Sequence, residues 1–266
     1  TRYQIAECYM IMGGIPYYLD LLSSKIPFSQ NIDRLFFAED GELWDEFEHL
    51  YKTLFSNSDS YIKVVEVLST KASGLTRGEL VAKTCLKNNG DLSKILKDLV
   101  LSGFVRVSGF YKKKKKDTLF QLCDYYTVFY MHYLKDRHGK DEHYWTNSTG
   151  NRSRSTWEGL TFEQVCKDHI MAIKYKLGIP GILTVESSWF QRGDKKKGIS
   201  GTQIDLLIER SDRVIDICEM KFSSAEYTID EKTDMNLRNK AETFRAATGC
   251  RDTIQLIMIT TNGVKD

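Results

Sequence analysis

Gly201-Thr-Gln-Ile-Asp205-Leu-Leu-Ile-Glu-Arg-Ser-Asp-Arg-Val-Ile-Asp-Ile-Cys-Glu219-Met-Lys221-Phe222 decides the fold of the C-terminal part of this chain. Apolar residues fill both flanks and Ser211-Asp212-Arg213 is polar, so the stretch reads as two strands joined by a tight turn. A turn centred near Asp212 sets Asp205 across from Glu219, because the two are equidistant from it. Opposed residues of an antiparallel pair share a face, and side chains repeat every two residues, so Lys221 joins the two acids. The other face is expected to carry Ile204, Leu206, Ile208, Cys218, Met220 and Phe222. Leu207, Ile215 and Ile217 make the charged face apolar as well, and a strand apolar on both sides is normally covered on both sides, as in an α/β layer.

Acids in such a setting are rarely buried unless they are paired or hold a metal. Two carboxylates at hydrogen-bonding range repel, and a divalent cation is the simplest relief. Asp205, Glu219 and Lys221, separated by a short hairpin, resemble the PD-(D/E)XK nuclease motif, with Glu219-Met220-Lys221 as its E-x-K element. The resemblance implies a further acid from the preceding helix, and Glu163 in Gly159-Leu-Thr-Phe-Glu163-Gln-Val-Cys stands at that place. It implies Asp205, Glu219, Glu163 and the main-chain carbonyl of Met220 as ligands of Mg²⁺ or Mn²⁺, with Lys221 beside the water or the scissile phosphate. Asp205, Glu219, Lys221 and Glu163 are then the catalytic set. An ion-paired network in a degenerate fold that only binds DNA or protein is the competing reading of the same residues.

Working outward, residues 157–266 read as helix, strand, strand, strand, helix, strand. The helix runs from Trp157 to about Lys176, the first strand covers Thr184–Phe190, and a Lys turn at 195–197 precedes the hairpin. A helix from about Asp230 to Thr248 and a strand over Ile254–Thr260 follow. That order is the core of a restriction-endonuclease-like α/β domain with a central mixed sheet. Arg238, Lys240 and Arg245 on the second helix either track a phosphate backbone or are solvated. Residues 139–156 are polar with almost no apolar periodicity and read as a linker.

Residues 56–138 read as a winged helix with a following aromatic helix. Tyr61–Leu68 is its first helix, a Thr76–Glu79 capping box opens the second, and Asn89-Gly90-Asp91 caps a third over Leu92–Leu101. Phe104–Val107 and Leu119–Leu122 are expected as wing strands with Tyr111-Lys112-Lys113-Lys114-Lys115-Lys116 at the tip. Five consecutive lysines, with Lys94 and Lys97 on the third helix, suit counterion release from a nucleic-acid backbone, or else form a solvated loop. The helix Tyr125–Leu134 is rich in aromatic residues, a pattern more common in cores than in base stacking.

Residues 1–55 are helical, broken at Gly13-Gly14-Ile15-Pro16, with an acidic amphipathic helix expected from Leu35 to Tyr51. The Gly-Gly-x-Pro turn resembles that in the lid of archaeal-type AAA+ ATPases of the STAND branch, in which a winged helix and a restriction-nuclease-like domain follow. The resemblance implies a multidomain chain of lid, winged helix-turn-helix and nuclease-like domain, and an ATPase core upstream. The phosphate cradle G-x-x-x-x-G-K-[ST] occurs nowhere in these residues, so ATP belongs to the full-length protein. The chain starts at Thr1 inside a helical pattern and is expected to be a fragment of something longer.

The net charge of +2 is uninformative, but its distribution is not. Residues 1–60 carry 4 basic and 10 acidic groups, and residues 61–125 carry 13 and 6. A basic middle segment points toward nucleic acid. The six scattered cysteines form no C-x-x-C pair or zinc spacing, which favours reduced thiols and a cytoplasmic setting. No window approaches a membrane span. The expectation is a DNA-processing protein coupled to an ATPase, with DNA as partner, no membrane, and self-association open. A catalytically inactive DNA-binding or protein-interaction module of the same ATPase family is the alternative.

Overall fold

The computed structural model describes residues 1–112, 118–136, 141–193 and 201–265. The chain divides into two compact units: Gln4–Val107 with Thr118–Glu158, and Thr1–Tyr3 with Ser108–Asp117 and Gly159–Asp266.

The first of these units opens on α1 (Arg2–Met12). Gly13 and Gly14 have φ of 65° and 71°, a region open to glycine at little cost, and Pro16 begins α2 (Pro16–Asp20) at its first turn. The helix expected over Leu35–Tyr51 does not form as one piece. α3 (Phe28–Ile32) runs into a π-helical turn, Asp33–Phe37, and helix resumes only at α4 (Glu46–Leu54). Two features interrupt it. Gly41 folds back so closely that a Cβ there would lie 2.6 Å from the Leu35 carbonyl oxygen. The Asp33 carboxylate accepts from the backbone N–H of Trp145 at 2.7 Å.

α5 (Ser58–Ser69), β1 (Leu75–Thr76), α6 (Arg77–Thr84) and α7 (Gly90–Leu101) follow, then β2 (Val105–Ser108) and β3 (Leu119–Leu122) in a sheet of order β1-β3-β2. The capping box is complete: Thr76 Oγ1 accepts from Glu79 N, and Glu79 Oε2 accepts from Thr76 N at 2.7 Å. Asn89 caps α7 through Leu92 N. Ile95, Leu96 and Leu99 are buried, while Lys94 and Lys97 face outward.

α8 (Tyr125–Phe129) and a π-helical turn, Tyr130–Leu134, supply the aromatic core. Phe129 meets Trp145 and Trp157 edge-on, with centroids 5.3 and 5.6 Å apart. The stretch read as a linker is therefore packed structure over its described part, 141–156. α9 (Tyr144–Asn147) contributes the fully buried Trp145. Arg154 stacks 3.8 Å over the Trp145 ring, pairs with Glu7 and Glu158, and donates to the Trp145 carbonyl at 2.7 Å. Polar composition concealed this because the charges are internal: buried Arg and Glu residues that satisfy one another read as solvated until their partners are known.

The second unit takes α10 (Arg152–Asp168) from Gly159 onward, and the chain turns at His169 into α11 (Ile170–Lys176). β4 (Thr184–Gln191), β5 (Thr202–Arg210), β6 (Val214–Lys221), the short β7 (Tyr227–Thr228), α12 (Glu231–Thr248), β8 (Thr253–Thr260) and β9 (Val264–Lys265) complete it. The main sheet has order β4-β5-β6-β8, antiparallel except for the parallel pair β6–β8, to which α12 is the crossover. It is thus a four-stranded mixed sheet. Leu207, Ile215 and Ile217 pack with Phe244 of α12 on one side. On the other, Phe162 of α10 lies against Phe222, centroids 5.4 Å apart.

Tyr111 and Lys112, expected at a free wing tip, lie in this unit. Tyr111 N donates to Ser188 O at 2.9 Å and its ring packs edge-on against Phe244. A buried aromatic overrides the polar run beside it, and only Lys112 of the lysine tract is described.

Thr76→Ala removes one half of the capping box and is expected to cost about 1 kcal/mol. The Glu79 carboxyl lies below its ordinary range, chiefly through its bond from the Thr76 backbone. Its contribution is present above the unfolded carboxyl value and is lost as pH falls through the lowered folded one. Urea unfolding of Glu79→Gln should therefore show a deficit at pH 7 that closes toward pH 3. A deficit independent of pH would mean that the carboxylate charge is not what stabilises the cap.

Candidate active site

The hairpin pairs Leu206 with Cys218, Leu207 with Ile217, Ile208 with Asp216 and Glu209 with Ile215. This is the register read from the turn at Asp212, and it runs as far as Leu206 and Cys218, one step short of Asp205 and Glu219. On its other side β5 is irregular. Ser187 pairs with Leu207 but Trp189 with Ile204, so Asp205 and Leu206 together oppose Ser188. Such a bulge re-aims side chains. Ile204, expected on the opposite face, packs instead with Leu207, Ile215 and Ile217. Asp205 lies in the bulge, and its Oδ1 accepts from Gln203 Nε2 at 2.5 Å.

Glu219 is the most constrained acid. Lys221 Nζ donates to its Oε1 at 2.7 Å, and Lys240 Nζ, from α12, donates to its Oε2 at 2.7 Å. Burial alone raises this carboxyl, and the two ammonium groups outweigh it, leaving it below the ordinary glutamate value. Lys221 mirrors the effect: burial works against its charge, and the bond to Glu219 raises it overall.

Glu163 behaves oppositely. It is pushed up to about 7, first by burial on α10 and then by the negative charge of Asp205, with Glu219 adding a smaller push. Glu163, Asp205, Glu219 and Lys221, drawn from a helix and two adjacent strands, thus share one electrostatic neighbourhood. In kind, carboxylates with the Met220 carbonyl form a hard oxygen donor set suited to Mg²⁺ or Mn²⁺. A cation would offset the repulsion from Asp205 and Glu219, which Lys167 and Lys221 relieve only in part. In arrangement, no three acidic, His or Cys side chains among the described residues are gathered closely enough to hold a metal ion. The carboxylates fit the ion chemically, and Glu219 is turned to lysines.

The nucleic-acid residues expected from the sequence do not form one described set. Lys94 and Lys97 are exposed on α7, Lys112 lies 4.9 Å over the Tyr111 ring, and Lys113, Lys114, Lys115 and Lys116 lie outside the described residues. Two residues of the site carry no specific role in the sequence pattern alone. Gln203 is findable by alternation from Asp205. Lys240 is findable because it stands three residues after Leu237 and four before Phe244, both buried. An open groove of about 930 Å³ runs along α12 past Gln203, Asn236, Asn239 and Lys240. Comparison of the chain with protein-family models, curated proteins and solved structures finds no match.

The Glu163 shift makes a stability prediction for protein stripped of divalent ions. A raised folded value stabilises the protonated side chain, so its cost to folding is absent near pH 4 and complete above about pH 7. Glu163→Gln removes that cost and should gain ~1–3 kcal/mol at pH 8 and little at pH 4.5. Denaturant unfolding in EDTA measures it, and a variant less stable at both pH values would contradict the assignment.

Proposed function

We propose that the unit containing Glu163, Asp205, Glu219 and Lys221 is a divalent-ion-dependent nuclease domain of the PD-(D/E)XK type. In this reading it follows a lid segment and a winged helix of an archaeal-type AAA+/STAND ATPase whose nucleotide site lies outside these residues, and DNA is its partner. The observation that carries the reading is that Asp205, Glu219 and Lys221, from two strands of a mixed sheet covered on both faces, all act on the charge of Glu163 on the neighbouring helix.

A phosphodiester is anionic, so its hydrolysis needs charge neutralisation, an aligned water and stabilisation of the pentacovalent charge. Asp205, Glu219, Glu163 and the Met220 carbonyl would hold Mg²⁺ or Mn²⁺, which supplies Lewis-acid neutralisation and a hydroxide at neutral pH. Lys221 is kept charged by Glu219, so its ammonium is available to offset developing charge on the phosphate. Lys94 and Lys97, with the Lys112–Lys116 run, supply base-independent attraction for the backbone.

A second reading is favoured by a specific feature. Both oxygens of Glu219 are taken by lysines, as in a domain that keeps the fold and only binds DNA or protein. Cleavage of supercoiled and branched DNA with Mn²⁺ decides between them. Asp205→Ala or Glu219→Ala should abolish cleavage by at least 10²-fold, whereas Lys221→Ala should keep Mn²⁺ binding and lose most of the rate. Wild-type protein that binds no divalent ion and cuts nothing favours the inactive module. Separately, replacing Lys112–Lys116 by Gln should flatten the salt dependence of DNA binding, by roughly 0.9 in slope for each phosphate that the variant no longer neutralises. An unchanged slope would remove the tract from the interface.

A further inference from the structure

α12 presents two kinds of face. Leu237 and Phe244 are buried, and Ala241 packs beside Phe244. Lys232, Asn236, Asn239 and Thr243, at steps of four, three and four residues, share a neighbouring face that lines the open groove of about 930 Å³. Gln203 of β5 lines the same groove and donates to Asp205, so the groove runs beside the site. A smaller cavity of about 300 Å³ shares Lys232 and Asn236 with it and is lined also by Glu219 and Lys221. The two spaces differ in charge. In the smaller one both carboxylates are taken, Glu219 by Lys221 and Lys240, and Asp230 by the backbone N–H of Thr233. The Lys221 side chain is still 37% exposed there, and Lys232 is exposed as well. The larger groove has Lys232, Lys240 and Glu242 as its charges among the described residues, and Lys240 is already bonded to Glu219. Its wall is therefore close to neutral and is dominated by the carboxamides of Gln191, Gln203, Asn236 and Asn239.

We propose that this groove receives unpaired bases of a single nucleic-acid strand, with Asn236 and Asn239 contacting base edges and a phosphate of the same strand seated in the adjoining cavity against Lys221 and Lys232. Carboxamides both donate and accept, which matches the edges of bases, whereas phosphate oxygens only accept and draw cations. No aromatic side chain is among the described residues that line the groove, so edge hydrogen bonds rather than stacking hold a base there. In a duplex such edges are reached by an element that enters the major groove. Here the carboxamides line a concavity, so the bases must come to them unpaired. A neutral extended peptide would use the same amides and leave the two ammonium groups of the adjoining cavity unmatched. The inference rests on the nuclease reading in taking nucleic acid as the partner, and adds that the substrate carries a single-stranded segment.

The test is fluorescence anisotropy in EDTA with a labelled single-stranded oligonucleotide and an abasic strand of the same length. Wild-type protein should bind the intact strand about tenfold tighter, because both strands carry the same phosphates and only one carries base edges. Combining Asn236→Ala with Asn239→Ala, both exposed on a helix, should remove that preference and leave the affinity for the abasic strand and its salt slope unchanged. Equal affinity of wild-type protein for the two strands, or a preference unchanged in the double variant, overturns the base contacts and leaves the nuclease reading intact. Capture of a labelled neutral peptide by wild type but not by the variant also overturns them. Wild-type protein that binds neither strand overturns this inference and the DNA partnership together. A base preference without Mn²⁺-dependent cleavage keeps the groove and removes the nuclease.

Discussion

The ionised carboxylate of Glu219, largely buried near the end of a strand covered on both faces, is the constraint on which the unit around it depends. A lone carboxylate in that position would take up a proton, because desolvation penalises the charged form. Two ammonium groups at 2.7 Å reverse the outcome. Each lysine then fixes something else. Lys221 closes β6 as its last residue, and Lys240 ties α12 to the sheet by a polar contact among the apolar ones of Leu237 and Phe244. Nearby Glu163 is compensated only in part, by Lys167 and Lys221, and burial leaves it with a raised proton affinity. The difference between two acids of the same type, one held charged and one pushed toward neutrality, is the pattern from which acid–base and ligand roles are made.

Elsewhere the same rule builds structure without chemistry. Arg154 in the other unit is buried with Glu7 and Glu158, and its remaining donors reach the Trp145 carbonyl and Ser148. Such a group adds little net stability compared with apolar packing, but removing one partner leaves a charge stranded and costs several kcal/mol. Around it the stabilisation comes from Phe129, Tyr133, Trp145 and Trp157, whose edge-on contacts join α8, α9 and α10. Asp33 performs the corresponding task for the backbone by accepting the N–H groups at the start of α9. Buried ions therefore mark two different situations here: a saturated structural cluster, and a site whose charges face a groove.

Much of the fold was legible because local rules and burial agree. Alternation and a turn at Asp212 give the hairpin with its register, Thr76 and Glu79 declare the start of α6, and Gly13-Gly14 with Pro16 declare the corner between α1 and α2. Those signals are local: each needs only the stereochemistry of a few neighbouring residues. The common face of Glu219 and Lys221 follows from the same periodicity, whereas that of Asp205 does not, because the bulge intervenes.

Tertiary structure alone decided the rest, for a common reason: the partner lies far along the chain. The bulge at Asp205–Leu206 exists because β4 pairs out of step with β5, and it moves Ile204 to a face that alternation denied it. Trp145 and Arg154 sit in a stretch too polar to signal burial, until Phe129 and Glu7 are brought against them. Tyr111 leaves the basic run for a place beside Ser188 and Phe244. Lys240 has the sequence context of one more solvated base on a helix, and only the packing of α12 on the sheet sets its ammonium on Glu219. Sequence by itself determined which residues repeat along a face. What each charge meets on that face was decided by elements that only folding brings near.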